Sequence, residues 1–234
     1  MRLTEQAATL LVAIGFLAVP AAAGVKANLH IIGFSSDGRY FAFEDSGNYD
    51  AIGGYWSKIQ IIDAATDRLA HAPFSTSHPN ELEKTPSVPL ETTRVENNGK
   101  AAPVLRTLGI KLNDTGEAAK LSFLDTDHLK SRFELSGTVY TLHLSTKSFP
   151  SPECYFGREK SLGFKLVLTD THRQRTLHDD DHVPRSRGEN GCVLGYKLGE
   201  VYVKGKYLVV ILDTSLPGFE GDSLNHLAVT TTLK

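Results

Sequence analysis

Beyond an apolar N-terminal run, hydrophobic and polar positions alternate mostly with period two. His30-Ile-Ile-Gly-Phe34 predicts a strand running into a Ser35-Ser-Asp37-Gly38 turn. Arg39-Tyr-Phe-Ala-Phe43 predicts its hairpin partner, with Tyr40 and Ala42 on one face and Phe41 and Phe43 on the other. Lys58-Ile-Gln-Ile-Ile62 alternates as a third strand, so residues 29–72 read as a blade-like antiparallel unit, with a Gly/Asp/Asn loop from Glu44 to Tyr55. Residues 78–98, with Pro79, Pro86, Pro89 and many charges, read as a linker. Ala101, Val104, Leu105 and Leu108 fall at helical spacing and predict one short helix over 101–108, with Pro103 in its first turn and Gly109 as its C-cap. Period two then returns over 119–234, with strands expected at 119–124, 138–144, 163–169, 195–203, 207–212 and 227–232. The pattern predicts a mainly β fold, an antiparallel sandwich or partial-propeller-like sheets, with one short helix.

The start of the chain changes the compartment. A polar Met1-Arg-Leu-Thr-Glu-Gln segment, an apolar run from Ala7 to Val19 and the small-residue site Pro20-Ala-Ala-Ala23 have the layout of a secretory signal over 1–23. The expected mature product is one β-rich domain over 24–234, exported to the periplasm or beyond, with no membrane span once the signal is removed. The 25 basic and 27 acidic residues leave a net charge of −2. Arg2 and Glu5 leave together with the signal, so the balance is unchanged and supplies no basis for bulk binding of nucleic acid or anionic membrane.

An exported chain with two cysteines, Cys154 and Cys192, is expected to join them. There is no C-x-x-C for redox chemistry and no Cys/His ladder for zinc. A bridge would contribute about 4 kcal/mol in the chain-entropy account. It would also pin the starts of the strands at Gly163 and Gly195 at one end of a shared sheet, with a returning segment near Arg175 to Leu177.

Three groups of residues carry candidate chemistry. The densest runs from Thr171 to His182, where His172, His178, Asp180 and His182 offer imidazole and carboxylate ligands of the kind zinc, nickel or copper accept. Glu44, Asp45, Asn48 and Asp50 offer oxygen ligands for a hard cation in the loop after the second strand. Tyr55, Trp56 and Phe219, the last between glycines in Pro217-Gly-Phe-Glu-Gly221, offer an aromatic partner surface. No G-x-S-x-G elbow, P-loop, H-E-x-x-H or dinucleotide fingerprint is present, so no catalytic residue is nominated.

Gly33-Phe-Ser-Ser-Asp-Gly-Arg-Tyr-Phe-Ala-Phe-Glu44 with Ile59-Gln-Ile-Ile-Asp63 resembles a blade of a TolB-type β-propeller. That opening combines with Ser186-Arg-Gly188, Cys192, Gly195-Tyr196, Val201-Tyr-Val203, Pro217-Gly-Phe-Glu-Gly221 and Leu227-Ala-Val-Thr230. The combination resembles a proteobacterial family of predicted secreted proteins, domain of unknown function 2259, which implies export and a β-rich fold and brings no catalytic residues. The expected function is a non-enzymatic binding or interaction module of the cell envelope that takes an envelope protein or a small ligand, with no resident cofactor. The alternative is a periplasmic metal-binding protein or hydrolase using the His172–His182 segment.

Overall fold

The computed structural model describes residues 25–49, 53–80, 88–151, 154, 159–182, 192–218 and 221–233. The expected signal, Asp50 and Phe219 lie outside them. In chain order the elements are β1 (Asn28–Phe34), β2 (Tyr40–Asn48), β3 (Gly54–Asp63), β4 (Arg68–Leu69), β5 (Phe74–Pro79), α1 (Leu90–Thr107), β6 (Glu117–Ala119), β7 (Ser122–Phe123), β8 (Lys130–Leu135), β9 (Thr138–Pro150), β10 (Lys160–Thr169), β11 (Gln174–Asp179), β12 (Gly195–Lys204), β13 (Tyr207–Pro217) and β14 (Asp222–Thr232). They form three antiparallel sheets. The N-terminal sheet has the order β1-β2-β3-β4, with β5 on the other half of β3; the middle sheet runs β11-β10-β9-β8-β7; the C-terminal sheet runs β14-β13-β12-β6. The mainly β, antiparallel architecture with one helix is as the pattern predicts, and no barrel closes among the described residues.

The sheets stack because their strands are apolar on the faces that meet. Leu142, Leu144, Phe164, Leu166 and Leu168 of the middle sheet bury themselves against Leu198, Val201, Leu208, Val210 and Val229 of the C-terminal sheet. The other face of that sheet, with Tyr202, Val209, Ile211 and Ala228, packs on Phe34, Phe41, Phe43 and Ile62 of the N-terminal sheet. The N-terminal sheet then turns Ile32, Ala42, Ile59 and Ile61 toward Ala101, Leu105 and Ile110 at α1. The order of layers is helix, N-terminal sheet, C-terminal sheet, middle sheet. β13 lies in a layer covered on both sides, so Tyr207-Leu-Val-Val-Ile-Leu212 is an unbroken buried run rather than an alternating one. The hairpins that open and close the chain therefore share one core. At Gly38, φ is +77° and an added Cβ would lie 2.7 Å from the Lys204 carbonyl, so glycine is required where the β1–β2 and β12–β13 turns meet.

The helix and the second strand differ from expectation. The helix begins at Leu90, inside the segment read as a linker, and Pro103 lies well within it rather than in its first turn. Apolar spacing misses its first half because the buried positions there are polar: Thr93 donates to the carbonyl of Pro89 at the helix's own N-cap, and Asn97 to Ser57 Oγ and the Phe74 carbonyl of other strands. Its end is as expected: Gly109 is left-handed at φ +67°, and the Gly109 and Ile110 N–H groups donate to Arg106 and Leu105 carbonyls in a Schellman cap. From Glu44 the chain stays in strand β2 as far as Asn48 instead of looping.

Cys154 and Cys192 form a disulfide. It joins the approach to β10 with the approach to β12, and these strands belong to different sheets, so the bridge spans the seam between the middle and C-terminal layers rather than two strands of one sheet. The Leu162 N–H donates to the Val193 carbonyl (2.8 Å) and the Val193 N–H to Ser161 Oγ (2.9 Å) beside it. The returning segment near Arg175 to Leu177 is β11, paired with β10.

Candidate functional site

The strand parity of β2 sorts two adjacent carboxylates to opposite faces. Glu44 follows Ala42 toward the helix, where it accepts from Ser57 Oγ (2.7 Å), Arg94 Nε (3.1 Å) and Arg94 Nη2 (2.9 Å). Asp45 follows Phe41 and Phe43 toward the C-terminal sheet and meets His226 of β14. Its Oδ2 accepts the His226 backbone N–H (3.1 Å), and its Oδ1 lies 2.6 Å from His226 Nδ1. The two carboxylates nominated for one cation therefore serve different partners, while Asn48 is exposed at the end of the strand.

Behind the Asp45–His226 pair is a cavity of about 430 Å³ where the three sheets converge. Lys26 to Leu29 enter along one side, held by the Ala27 N–H donating to the Leu224 carbonyl (2.8 Å). A β-bulge between Leu198 and Glu200 forms a second wall, and Asp213 and His226 form the floor. Gly199 sits in that bulge; a Cβ there would be 2.8 Å from Asp213 Oδ1, so only glycine lets the aspartate approach. The third wall is the turn after β7. His128 has φ +57°, its carbonyl accepts the Leu198 N–H (2.8 Å), and its ring stacks on Phe123 at 3.9 Å between centroids.

His226 is buried, its side chain only 6% exposed. With Nδ1 held by Asp45, its other nitrogen points toward Asp213, whose Oδ1 is 3.7 Å away and beyond hydrogen-bond distance. Burial works to lower the imidazole pKa, but the hydrogen bond and charge of Asp45, with Asp213 and Glu200 nearby, outweigh it, and the net displacement is upward. Glu200 accepts from the Tyr202 hydroxyl; burial and that carboxylate push the phenol up.

The His172–His182 segment is laid out differently. His178, on β11, stacks on Phe164 (4.3 Å) and places Nε2 2.8 Å from Asp180 Oδ1, while Asp180 Oδ2 accepts the Phe164 N–H (2.8 Å). His172 donates its backbone N–H to Asp170, and the ring of the exposed His182 pairs with Asp181. Only His178 and Asp180 of the four nominated ligands touch, and among the described residues no three His, Cys, Asp or Glu side chains are grouped to hold a metal ion. Tyr55 and Trp56 are consecutive on β3 and so face opposite sides of the N-terminal sheet; the Trp56 indole covers Gly47 across the strand and donates to the Asn48 carbonyl (3.3 Å).

The sequence nominates Asp45, the partner of His226, but none of the polar groups that line the cavity. Two signals were there to use: a histidine interrupting the apolar run Leu224-Asn-His-Leu-Ala-Val229, and a glycine interrupting the strand around Leu198.

Fold and site define a layered antiparallel β protein in which a buried acid–imidazole pair opens on a polar cavity. The family model described as predicted secreted protein (DUF2259) matches residues 42–232, and the chain belongs to that family. No curated protein and no solved structure matches it. No helix among the described residues is long and apolar enough to cross a membrane.

Proposed function

We propose that the protein is an exported, non-enzymatic binding module of the cell envelope whose small-ligand site is the cavity at the junction of the three sheets. We also read the β1–β3 unit as kin to a TolB-type propeller blade, with its Asp37-Gly38 turn and its three antiparallel strands. The observation that carries the binding reading is His226: a buried, partnered imidazole that presents its second nitrogen to a cavity, with no acceptor at hydrogen-bond distance among the described residues. A concave site with a few convergent polar groups on a partly apolar lining is the arrangement that small-ligand sites share. The cavity's volume is within the range of small-molecule sites.

Native mass spectrometry of protein recovered from the periplasm without a metal-affinity tag, with the denatured mass alongside, tests the proposal. The expected result is an organic adduct that denaturation releases and that the Asp213→Ala variant lacks. Bare protein whose His226 imidazole resonances no fragment library moves overturns it. An inorganic adduct retained by Asp213→Ala transfers the reading to the metal-binding alternative at His172–His182.

A further inference from the structure

The polar groups around the cavity are not of one sign. Lys26 and His226 bring positive charge to the lining and Asp213 and Glu200 bring two carboxylates, with His226 Nε2 only 3.7 Å from Asp213 Oδ1. Asp45 is spent on His226, and Lys197 stands opposite Asp213 on the neighbouring strand without an ion pair to it among the described residues. Counted together, three cations and three carboxylates gather at this junction, so neither a simple cation nor a simple anion is favoured by the net field. A ligand that carries both signs at short spacing matches the neighbouring His226 Nε2 and Asp213 Oδ1 at the floor. The remaining lining is apolar or aromatic: Leu29, Leu198 and the Phe123 ring stacked on His128.

We infer that the cavity takes a small zwitterion of the α-amino acid class, a reading that rests on the small-ligand proposal above. The ligand's carboxylate accepts from His226 Nε2–H and lies toward Lys26. Its ammonium donates to Asp213 Oδ1 and to the Glu200 carboxylate. Its side chain lies against Phe123 and Leu29. The upward displacement of the His226 pKa favours the protonated ring that this arrangement needs, and Asp45 fixes the ring's orientation from behind. Metal binding offers no equivalent account, since among the described residues no three carboxylates and imidazoles form a ligand group. The Gly199 bulge has a role in this arrangement, because it admits the Asp213 carboxylate to the cavity wall.

Four probes separate the charges. L-phenylalanine and L-alanine carry both, 2-phenylethylamine carries only the ammonium, and 3-phenylpropionate carries only the carboxylate. Each is titrated into the full disulfide-bonded protein by calorimetry, with the His226 ring resonances followed in parallel. The expected result is binding of at least one amino acid about tenfold or more tighter than both singly charged probes, from the loss of one charge-assisted contact. Asp213→Asn, which preserves shape, weakens that binding by about tenfold or more while near-ultraviolet circular dichroism stays native. A singly charged probe that binds as tightly as the amino acids overturns the zwitterion and leaves a small-ligand site standing. Failure of both amino acids to bind also overturns it, while the native-mass experiment decides separately whether the cavity holds any ligand.

Discussion

Glu44 and Asp45 are neighbours in sequence and almost wholly buried, yet they stabilise different layers, because one residue of strand parity sends one to α1 and the other to β14. Two charges taken out of water are tolerated only where each meets a counter-charge, and here each does. The Asp45–His226 pair has a pH signature. Its folded imidazole pKa is raised above the unfolded value of about 6.5, so the pair's contribution is complete below that pH and is lost as pH rises through the folded pKa. Urea denaturation should show a gap in unfolding free energy between wild type and His226→Gln that is widest below the unfolded pKa and narrows as pH rises above it. A gap that does not change with pH would show that the charged pair contributes nothing. Asp45→Asn, which leaves a buried imidazole without its counter-charge, should cost about 3–5 kcal/mol below the unfolded pKa.

At the scale of elements, α1 shows how a helix is held by a buried face that is half polar. Thr93, Asn97, Ala101 and Leu105 are its buried positions, four residues apart along one stripe. The C-terminal pair is apolar; Asn97 is not, and with no exposure at all it donates to Ser57 Oγ (2.7 Å) and the Phe74 carbonyl (3.2 Å) and accepts from Thr76 Oγ1 (3.3 Å). Asn97→Leu keeps the volume but strands the Phe74 carbonyl, and should destabilise the fold by about 1–3 kcal/mol in equilibrium denaturation. Val95→Ser, on the exposed side, should stay within about 0.5 kcal/mol. These contacts also explain what the sequence showed and what it hid. The alternating strands β2, β3, β9 and β10, the continuous apolar run of β13 and the Gly109 cap were legible because their signals are local: apolar spacing and a glycine that must be left-handed. The first half of α1 and the second half of β2 were not, because Asn97, Glu44 and Asp45 read as solvent-facing in any window of sequence. Their partners lie far along the chain, with Asp45 and His226 separated by 181 residues. The cavity was hidden for the same reason, since its walls come from all three sheets.

Over the whole molecule, the four layers are held by apolar faces at every interface, and one of those interfaces also carries a covalent tie. The Cys154–Cys192 bridge sits where β10 and β12 begin, across the seam between the middle and C-terminal sheets, and no corresponding link crosses the seam between the C-terminal and N-terminal sheets. Closing a segment with a sequence separation of 38 residues restricts the unfolded chain enough to contribute about 4 kcal/mol in the entropic account. Such a bridge forms in an oxidising compartment, in keeping with a family of predicted secreted proteins. Its placement makes the loss directional. In the Cys154→Ala, Cys192→Ala variant, global stability should fall by up to about 4 kcal/mol, and native-state hydrogen exchange should accelerate first in β9, β10 and β11. Amides of β2, β3 and α1, which are buried on the far side of the C-terminal sheet, should follow only the global change. Uniform acceleration across all three sheets would mean that the layers unfold as one unit and that the bridge acts only on the unfolded chain. Preferential opening of the middle sheet would mean that it is a separable layer. The His128 turn, which belongs to that sheet and forms the third wall of the cavity, would then couple ligand affinity to the state of the disulfide.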